Sequence, residues 1–348
     1  MNDQSPHKRR VRYKGTHPRN YHEKYKELNP EKYQDTIEKV IQKGSTPAGM
    51  HIPICVKEIL DFLQIQPGQT GLDATLGYGG HSQKMLECLQ GTGHLYALDI
   101  DPIEITKTQK RLESLGYGER LLTVIPVNFA NIDQVADKYG PFQFLLADLG
   151  VSSMQIDNPM RGFSYKNDGP LDLRLNPAAG IPASQRLKEL TTQELEWMLK
   201  ENSDEPYAKE IARSVTSALR KGRPVETTIQ LANLVSNALS FLSEKERNDI
   251  VKKSCARVFQ ALRIDVNNEF EALDSFLQKL PSVMASGGKI AILTFHSGED
   301  RLVKKSFKEC FRAGIYSEIC RDVIRPAAEE CARNSRAKST KMRWAVKK

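Results

Sequence analysis

Leu72-Asp-Ala-Thr-Leu-Gly-Tyr-Gly-Gly-His-Ser82 closes a short apolar run and passes through Gly77, Gly79 and Gly80 into a helical pattern. Glycines at such a junction admit positive φ and let a ligand lie against the backbone at the carboxyl edge of a sheet. A dinucleotide loop, a phosphate loop and a purely structural turn all compete for this stretch. A G-x-G-x-x-G register begun at Gly77 fails because its last position falls on Ser82, and the Lys-Ser/Thr pair of a phosphate loop is missing. Asp73, just before the glycines, would repel a pyrophosphate, whereas a sulfonium amino acid offers it an ammonium and a cationic sulfur. Asp99 ends the next apolar run, where a carboxylate accepts hydrogen bonds from ribose hydroxyls. Asp101, beside Pro102, reads as a helix cap.

Around this loop the sequence alternates between apolar runs and helical patterns. Strands are expected near residues 70–75, 94–99, 121–127 and 142–148, and helices near 53–63, 81–89, 102–115 and 132–139. That alternation predicts an α/β fold whose parallel sheet is covered on both faces. From 178 to 254 only helical signals remain. Thr191-Thr-Gln-Glu194 forms a candidate capping box, Ser203 a candidate helix start, and Gly222 with Pro224 a stop. A long helix over about 258–285, a strand at 289–295, a helix over 299–311 and a strand near 342–346 then resume the alternation. The expected organisation is a basic extension (1–48), a discontinuous Rossmann-like domain (49–177 and 255–348) and a helical insertion (178–254).

Phe142-Gln-Phe-Leu-Leu-Ala-Asp148 brings a further apolar strand to a polar end. On its own residues, Asp148 reads either as a ligand-facing acid at a strand's carboxyl end or as a loop cap.

His51-Ile-Pro, Asp73-Ala-Thr-Leu-Gly-Tyr-Gly-Gly-His-Ser82, Asp99-Ile-Asp-Pro102, Asp148-Leu-Gly-Val-Ser-Ser153, Arg161-Gly-Phe-Ser164, Asp168-Gly-Pro-Leu-Asp-Leu-Arg174, Phe259-Gln-Ala-Leu-Arg-Ile264 and His296-Ser-Gly-Glu-Asp-Arg301 occur in that order. As an ordered set, running on to Asn334-Ser-Arg-Ala-Lys-Ser339, they resemble the RsmH (MraW) methyltransferases. The resemblance implies a class I S-adenosylmethionine-dependent methyltransferase fold with a helical insertion, the insertion serving RNA recognition. It implies transfer to the exocyclic N4 of a cytidine in small-subunit ribosomal RNA near the decoding centre. S-adenosyl-L-methionine would be held by Gly79, Gly80, His81, Asp99, Phe129, Asp148 and Gln155. Departures from the family pattern occur at Lys252-Lys-Ser-Cys-Ala-Arg257, at Gly298 where Leu is usual, and at Met154 where Pro is usual. They leave open a paralogue with another RNA target.

An exocyclic cytosine amine is a weak nucleophile because its lone pair is conjugated with the ring. Asp148 is therefore the candidate catalytic residue: it, or a nearby backbone carbonyl, accepts an amine hydrogen bond and aims the lone pair at the methyl group. A flipped base calls for a planar partner, and Phe163 and Tyr165 are candidates, with core packing as the competing reading of Phe163. His296 follows an apolar run at a carboxyl edge. Arg161, Arg174, Arg263 and Arg301 are candidates for phosphate contact, or equally for pairing with carboxylates.

Composition fits this reading. Net charge is +8, and residues 1–48 carry 11 Lys/Arg against 6 Asp/Glu, so +5 of it lies in the leader, a candidate phosphate-contacting arm or a solvated tail. A mean hydropathy of −0.49 and no long apolar run predict a cytosolic protein without a membrane partner. The six cysteines are far apart, with no CxxC pair and no Cys/His cluster at zinc-finger spacing, so reduced thiols and no metal are expected. A homodimer stays open. A nicotinamide-dependent oxidoreductase and a non-catalytic RNA-binding assembly factor are the competing function classes.

Overall fold

The computed structural model describes residues Pro53–Lys348; the basic leader, with the helix expected there, lies outside the described residues. Helix α1 (Val56–Leu63) leads to β1 (Thr70–Asp73), α2 (Gly80–Leu89), β2 (His94–Leu98), α3 (Pro102–Ser114), β3 (Leu122–Ile125), α4 (Ile132–Tyr139) and β4 (Phe142–Asp148). A short α5 (Ser153–Asp157) is followed by α6 (Ala183–Glu189), α7 (Thr192–Ser203), α8 (Ala208–Arg220), α9 (Thr228–Ala238) and α10 (Glu244–Asn267). The chain closes with α11 (Glu269–Val283), β5 (Met284–Thr294), α12 (Ser297–Arg312), β6 (Tyr316–Ile319), α13 (Ala328–Arg333) and β7 (Lys341–Lys347).

The strands form one sheet in the order β3-β2-β1-β4-β5-β7-β6, parallel from β3 through β5, with β7 antiparallel to both of its neighbours. Strand order reverses direction between β1 and β4, and in such doubly wound sheets the ligand crevice opens there, beyond the carboxyl ends of the strands. Phe144, Leu145, Leu146 and Ala147 of β4 are all fully buried. Leu145 and Ala147 pack among Leu273, Phe276 and Ile292 on one face, and Phe144 and Leu146 among Ile59, Met85 and Leu293 on the other. Burial on both faces explains why this strand reads as a continuous apolar run, each Leu contributing about 1.5–3 kcal/mol. Gly71 of β1 lies opposite Phe144 in register, and a Cβ there would stand 2.1 Å from the Phe144 ring. The small residue makes room for the large one.

A separate hydrophobic cluster holds the helical segment together, with Leu187, Leu199, Ile211, Val215, Leu231 and Leu262 fully or nearly fully buried. Its members run from Phe163 to Leu262. The Thr191/Glu194 capping box is formed as expected.

Three local expectations are corrected. The single helix over about 258–285 is two helices, because Asn268 adopts φ 49 and breaks the line between α10 and α11. Ser203 ends α7 and does not open a helix: Asp204 at φ 51 returns its N–H to the carbonyls of Leu199 and Lys200. Strand β6, a four-residue edge strand with two exposed positions, carried too weak an apolar signal to be read. No helix among the described residues is long and apolar enough to cross a membrane.

Candidate active site

Three carboxylates mark the carboxyl ends of the central strands. Asp73, last in β1, is 1% exposed; it accepts from the Ser82 hydroxyl at 2.5 Å and from the Thr75 N–H at 3.1 Å. Asp99, just beyond β2, accepts from the Gly77 N–H at 2.7 Å and the Asp101 N–H at 2.9 Å, so the second strand end grips the glycine turn directly. Burial pushes both carboxyls above the usual carboxylate range, against the pull of those hydrogen bonds. A carboxylate raised in this way is costly to ionise in the folded protein, and a cationic ligand lowers that cost.

The turn itself is built for close backbone approach. Gly77 and Gly79 have φ of 49 and 66, and Gly79 precedes the first residue of α2. Thr108 of α3 donates to the Gly77 carbonyl at 2.6 Å, and Arg111 donates to the Tyr78 carbonyl and, at 3.0 Å, to Gln83. Burial lowers Arg111 to about 10. A Cβ on Gly79 would stand 2.7 Å from Thr108, so glycine is required there by packing as well as by φ.

Asp148, last in β4, is the acid with the most open coordination. Its N–H donates to the Thr75 hydroxyl at 2.6 Å, one carboxylate oxygen lies 3.4 Å from His81 Nδ1, and the other, Oδ1, is buried without a hydrogen-bond partner among the described residues. His81 Nε2 makes its contact with the Ile54 carbonyl at 2.9 Å. Burial pulls the imidazole down, yet the hydrogen bond and charge of Asp148, the Ile54 carbonyl and Asp73 outweigh it and hold His81 above its ordinary value. An orphaned, buried acceptor at a strand end is the position from which a substrate amine can be addressed.

Asp101 does more than the cap expected of it. Oδ1 accepts from Ile103 and Glu104 N–H at the start of α3, while Oδ2 accepts from Gln155 at 2.8 Å and Arg161 at 2.7 Å. Gln155 Oε1 accepts from the Ser152 N–H, completing a capping box on α5. Gln155 is thus tied into the site's wall through Asp101. Phe129 lies in a 3₁₀ turn after β3, half-buried, with its ring edge-on to Phe276 at 5.2 Å.

The arginines are less available than expected. Arg161 is 6% exposed and donates to Asp101 and to the carbonyls of Arg174 and Leu175. Arg174 pairs through two nitrogens with Asp172, and Arg263 through two with Glu269. Arg301 is exposed and pairs with Asp204 at 3.2 Å. The phosphate-contact expectation is therefore corrected for Arg161 and Arg263, whose guanidinium groups are held inside the protein by carboxylates. Phe163 is likewise a buried member of the helical cluster, under the Arg161 guanidinium at 5.6 Å, which corrects its reading as a free stacking surface. Tyr165 is partly exposed, tilted against Phe259 at 5.6 Å and donating to the Lys252 carbonyl.

His296 caps α12, with Nδ1 accepting from the Glu299 N–H at 3.4 Å. Its Nε2 lies 3.2 Å from Glu299 Oε1 but off the hydrogen-bonding direction. Burial opposes ionisation of Glu299, but His296, Arg263 and the Phe295 N–H together hold it below the usual carboxylate range. Gly298 next to it has its space filled from elsewhere: a Cβ there would meet the Phe270 ring at 2.5 Å. The departure from Leu at this position is matched by an aromatic ring from α11.

Sequence reasoning missed Thr75, Thr108 and Arg111, which hold the turn and the Asp148 backbone. Thr75 sits inside the Asp73–Ser82 stretch but carried no role of its own there, Thr108 and Arg111 belong to none of the quoted motifs, and the partners of all three are remote in sequence.

The MraW methylase family model matches residues 48–348. "Ribosomal RNA small subunit methyltransferase H 1" of Lachnoclostridium phytofermentans is 65% identical over 346 residues, covering 99% of this chain and 94% of the relative. "Ribosomal RNA small subunit methyltransferase H 2" of Alkaliphilus metalliredigens is 61% identical over 346 residues, covering 99% of each. Among solved structures, a SAM-dependent O-methyltransferase from Thermotoga maritima aligns with a TM-score of 0.41 at 10% identity, over 90% of this chain and 71% of that one. Matched over residues 48–348, a span that holds the glycine turn, the three strand-end acids and the helical segment, the chain belongs to the MraW methylase family.

Proposed function

We propose that this chain transfers a methyl group from S-adenosyl-L-methionine to the exocyclic N4 of a cytidine in small-subunit ribosomal RNA, near the decoding centre. The observation that carries the reading is the unpartnered buried Oδ1 of Asp148, one strand away from a glycine turn gripped by Asp99. The donor set fits S-adenosyl-L-methionine: Asp99 retains lone pairs for ribose hydroxyls, Phe129 offers an apolar ring for a purine, and acids that burial makes costly to ionise gain from a sulfonium and an ammonium beside them. Gly79, Gly80, His81 and Gln155 complete that set by shaping the turn and its walls.

The bound donor supplies an electrophilic methyl group, and the protein's own task is positioning. Asp148 Oδ1 accepts an N–H of the target amine, which localises the nitrogen lone pair and turns it toward the methyl carbon. His81, held by the Ile54 carbonyl, fixes the Asp148 carboxylate in the orientation that leaves Oδ1 free. After transfer the amine's extra proton passes to Asp148 or to solvent. His296 and Arg174 would contact the RNA strand, and Tyr165, partly exposed, would be the planar side chain for the extruded base.

Residues 178–254 would serve as the RNA-facing subdomain. Their separate hydrophobic cluster supports this, and it draws α10 in as far as Leu262. The basic leader would add phosphate contacts.

Mass spectrometry of ribosomal RNA nucleosides from cells with and without the gene tests the proposal. Loss of N4-methylcytidine is expected. Unchanged N4-methylcytidine with loss of another methylated nucleoside would instead favour the paralogue reading that the Lys252–Arg257 departure motivates.

A further inference from the structure

Cys55 precedes α1 and is fully buried. Its Sγ, a carboxylate oxygen of Glu58 and a carboxylate oxygen of Glu330 all lie within 4.8 Å of one another. Glu58 is three residues further along, in the first turn of α1, whereas Glu330 arrives from α13, 275 residues away, and accepts from the Cys55 N–H at 3.0 Å. Among the described residues the thiol itself has no hydrogen bond. Burial, and after it the charges of Glu58, Glu330, Asp148 and Cys331, push it far above the usual thiol range. A buried sulfur facing two carboxylates, with no cationic side chain among the described residues between them, is an unfavourable arrangement for a protein interior.

The same arrangement is a good ligand set. One thiolate and two carboxylate oxygens satisfy three positions of a tetrahedral zinc-class cation, leaving the fourth for water, once the donors draw in to about 3.5 Å from one another. The other cluster of similar composition, Glu269, His296 and Glu299, differs in that the Arg263 guanidinium already pairs with both Glu269 oxygens at 2.8 and 2.9 Å. A cation is in place there; at Cys55 no Lys, Arg or His side chain among the described residues pairs with the cluster.

We propose that Cys55, Glu58 and Glu330 bind a thiophilic divalent cation of the zinc class, clamping the start of α1 to α13. Binding releases the Cys55 proton to solvent as the sulfur becomes a thiolate ligand. The neighbouring Ile54 carbonyl receives His81 Nε2, so the clamp also steadies the support of Asp148.

The test uses the full chain, purified with a non-thiol reductant, stripped with a chelator and titrated with Co2+. One equivalent is expected to give a thiolate-to-cobalt charge-transfer band that Zn2+ displaces. Cys55→Ser should abolish the band. Glu58→Gln and Glu330→Gln should each weaken zinc binding by about 100-fold or more, while Cys88→Ser leaves it unchanged. Glu58 is half-buried on a helix, so its variant keeps the test informative if Cys55→Ser fails to fold. Absence of the band in the wild-type chain, its persistence in Cys55→Ser, or unaltered zinc affinity in both glutamate variants would overturn the site.

Discussion

At the scale of single residues, the site is a contest between burial and hydrogen bonding. Asp148 keeps one oxygen toward His81 and one without a partner among the described residues, an assignment that leaves an acceptor for a substrate amine. Asp148→Asn is expected to lower kcat by about 100-fold while S-adenosylmethionine affinity stays within a few-fold. Calorimetric titration beside a single-turnover assay checks both, and full turnover at unchanged donor affinity would remove Asp148 from the chemistry. His81 carries a pH signature. Its folded value is raised above 6.5, so its contribution to stability is complete below that pH and is lost as pH climbs through the folded value. The advantage of the wild-type chain over His81→Gln in thermal midpoint should therefore shrink as pH rises from 6.5. A pH-independent difference would place the effect in packing and not in the Asp148 pair.

Between elements, the contacts that shape the crevice run across long sequence separations. Asp101 at the start of α3 binds Gln155 of α5 and Arg161 beyond it, 54 and 60 residues away, and all three side chains are buried. Removing Arg161 leaves a carboxylate without its cation in the interior, a change that costs about 3–5 kcal/mol. Arg161→Ala is expected to shift the urea midpoint accordingly and to weaken donor binding, while Arg161→Lys recovers part of the stability but not the contacts to the Arg174 and Leu175 carbonyls. Equal stability of Arg161→Ala and the wild-type chain by urea titration would mean that Asp101 finds solvent. The helix caps show the opposite, local kind of control. Thr191 with Glu194, and Ser152 with Gln155, each close a reciprocal pair within four residues, which is why caps of this kind are legible without coordinates.

For the whole molecule, charge is unevenly shared between leader and body, and phosphate binding follows charge. Deleting residues 1–44 should make the dependence of RNA affinity on salt shallower without loss of methyl-donor binding, measured by titration at several ionic strengths. An unchanged slope would leave the RNA contacts to the described body of the chain. By itself the sequence determined the α/β alternation, the strand-end positions of Asp73, Asp99 and Asp148, the glycine turn and the helical character of the middle segment. Those features depend on period, run length and turn residues within a few positions of each other. Only the tertiary structure decided the fate of the side chains: Arg161 and Arg263 turned inward to carboxylates, Phe163 entered a core, and Asn268 broke a helix that pattern alone continues. Tertiary structure also brought Cys55 to Glu330. Such outcomes depend on which group lies nearest in space once the sheet is wound, and electrostatic pairing between buried groups depends on that distance and not on their separation along the chain.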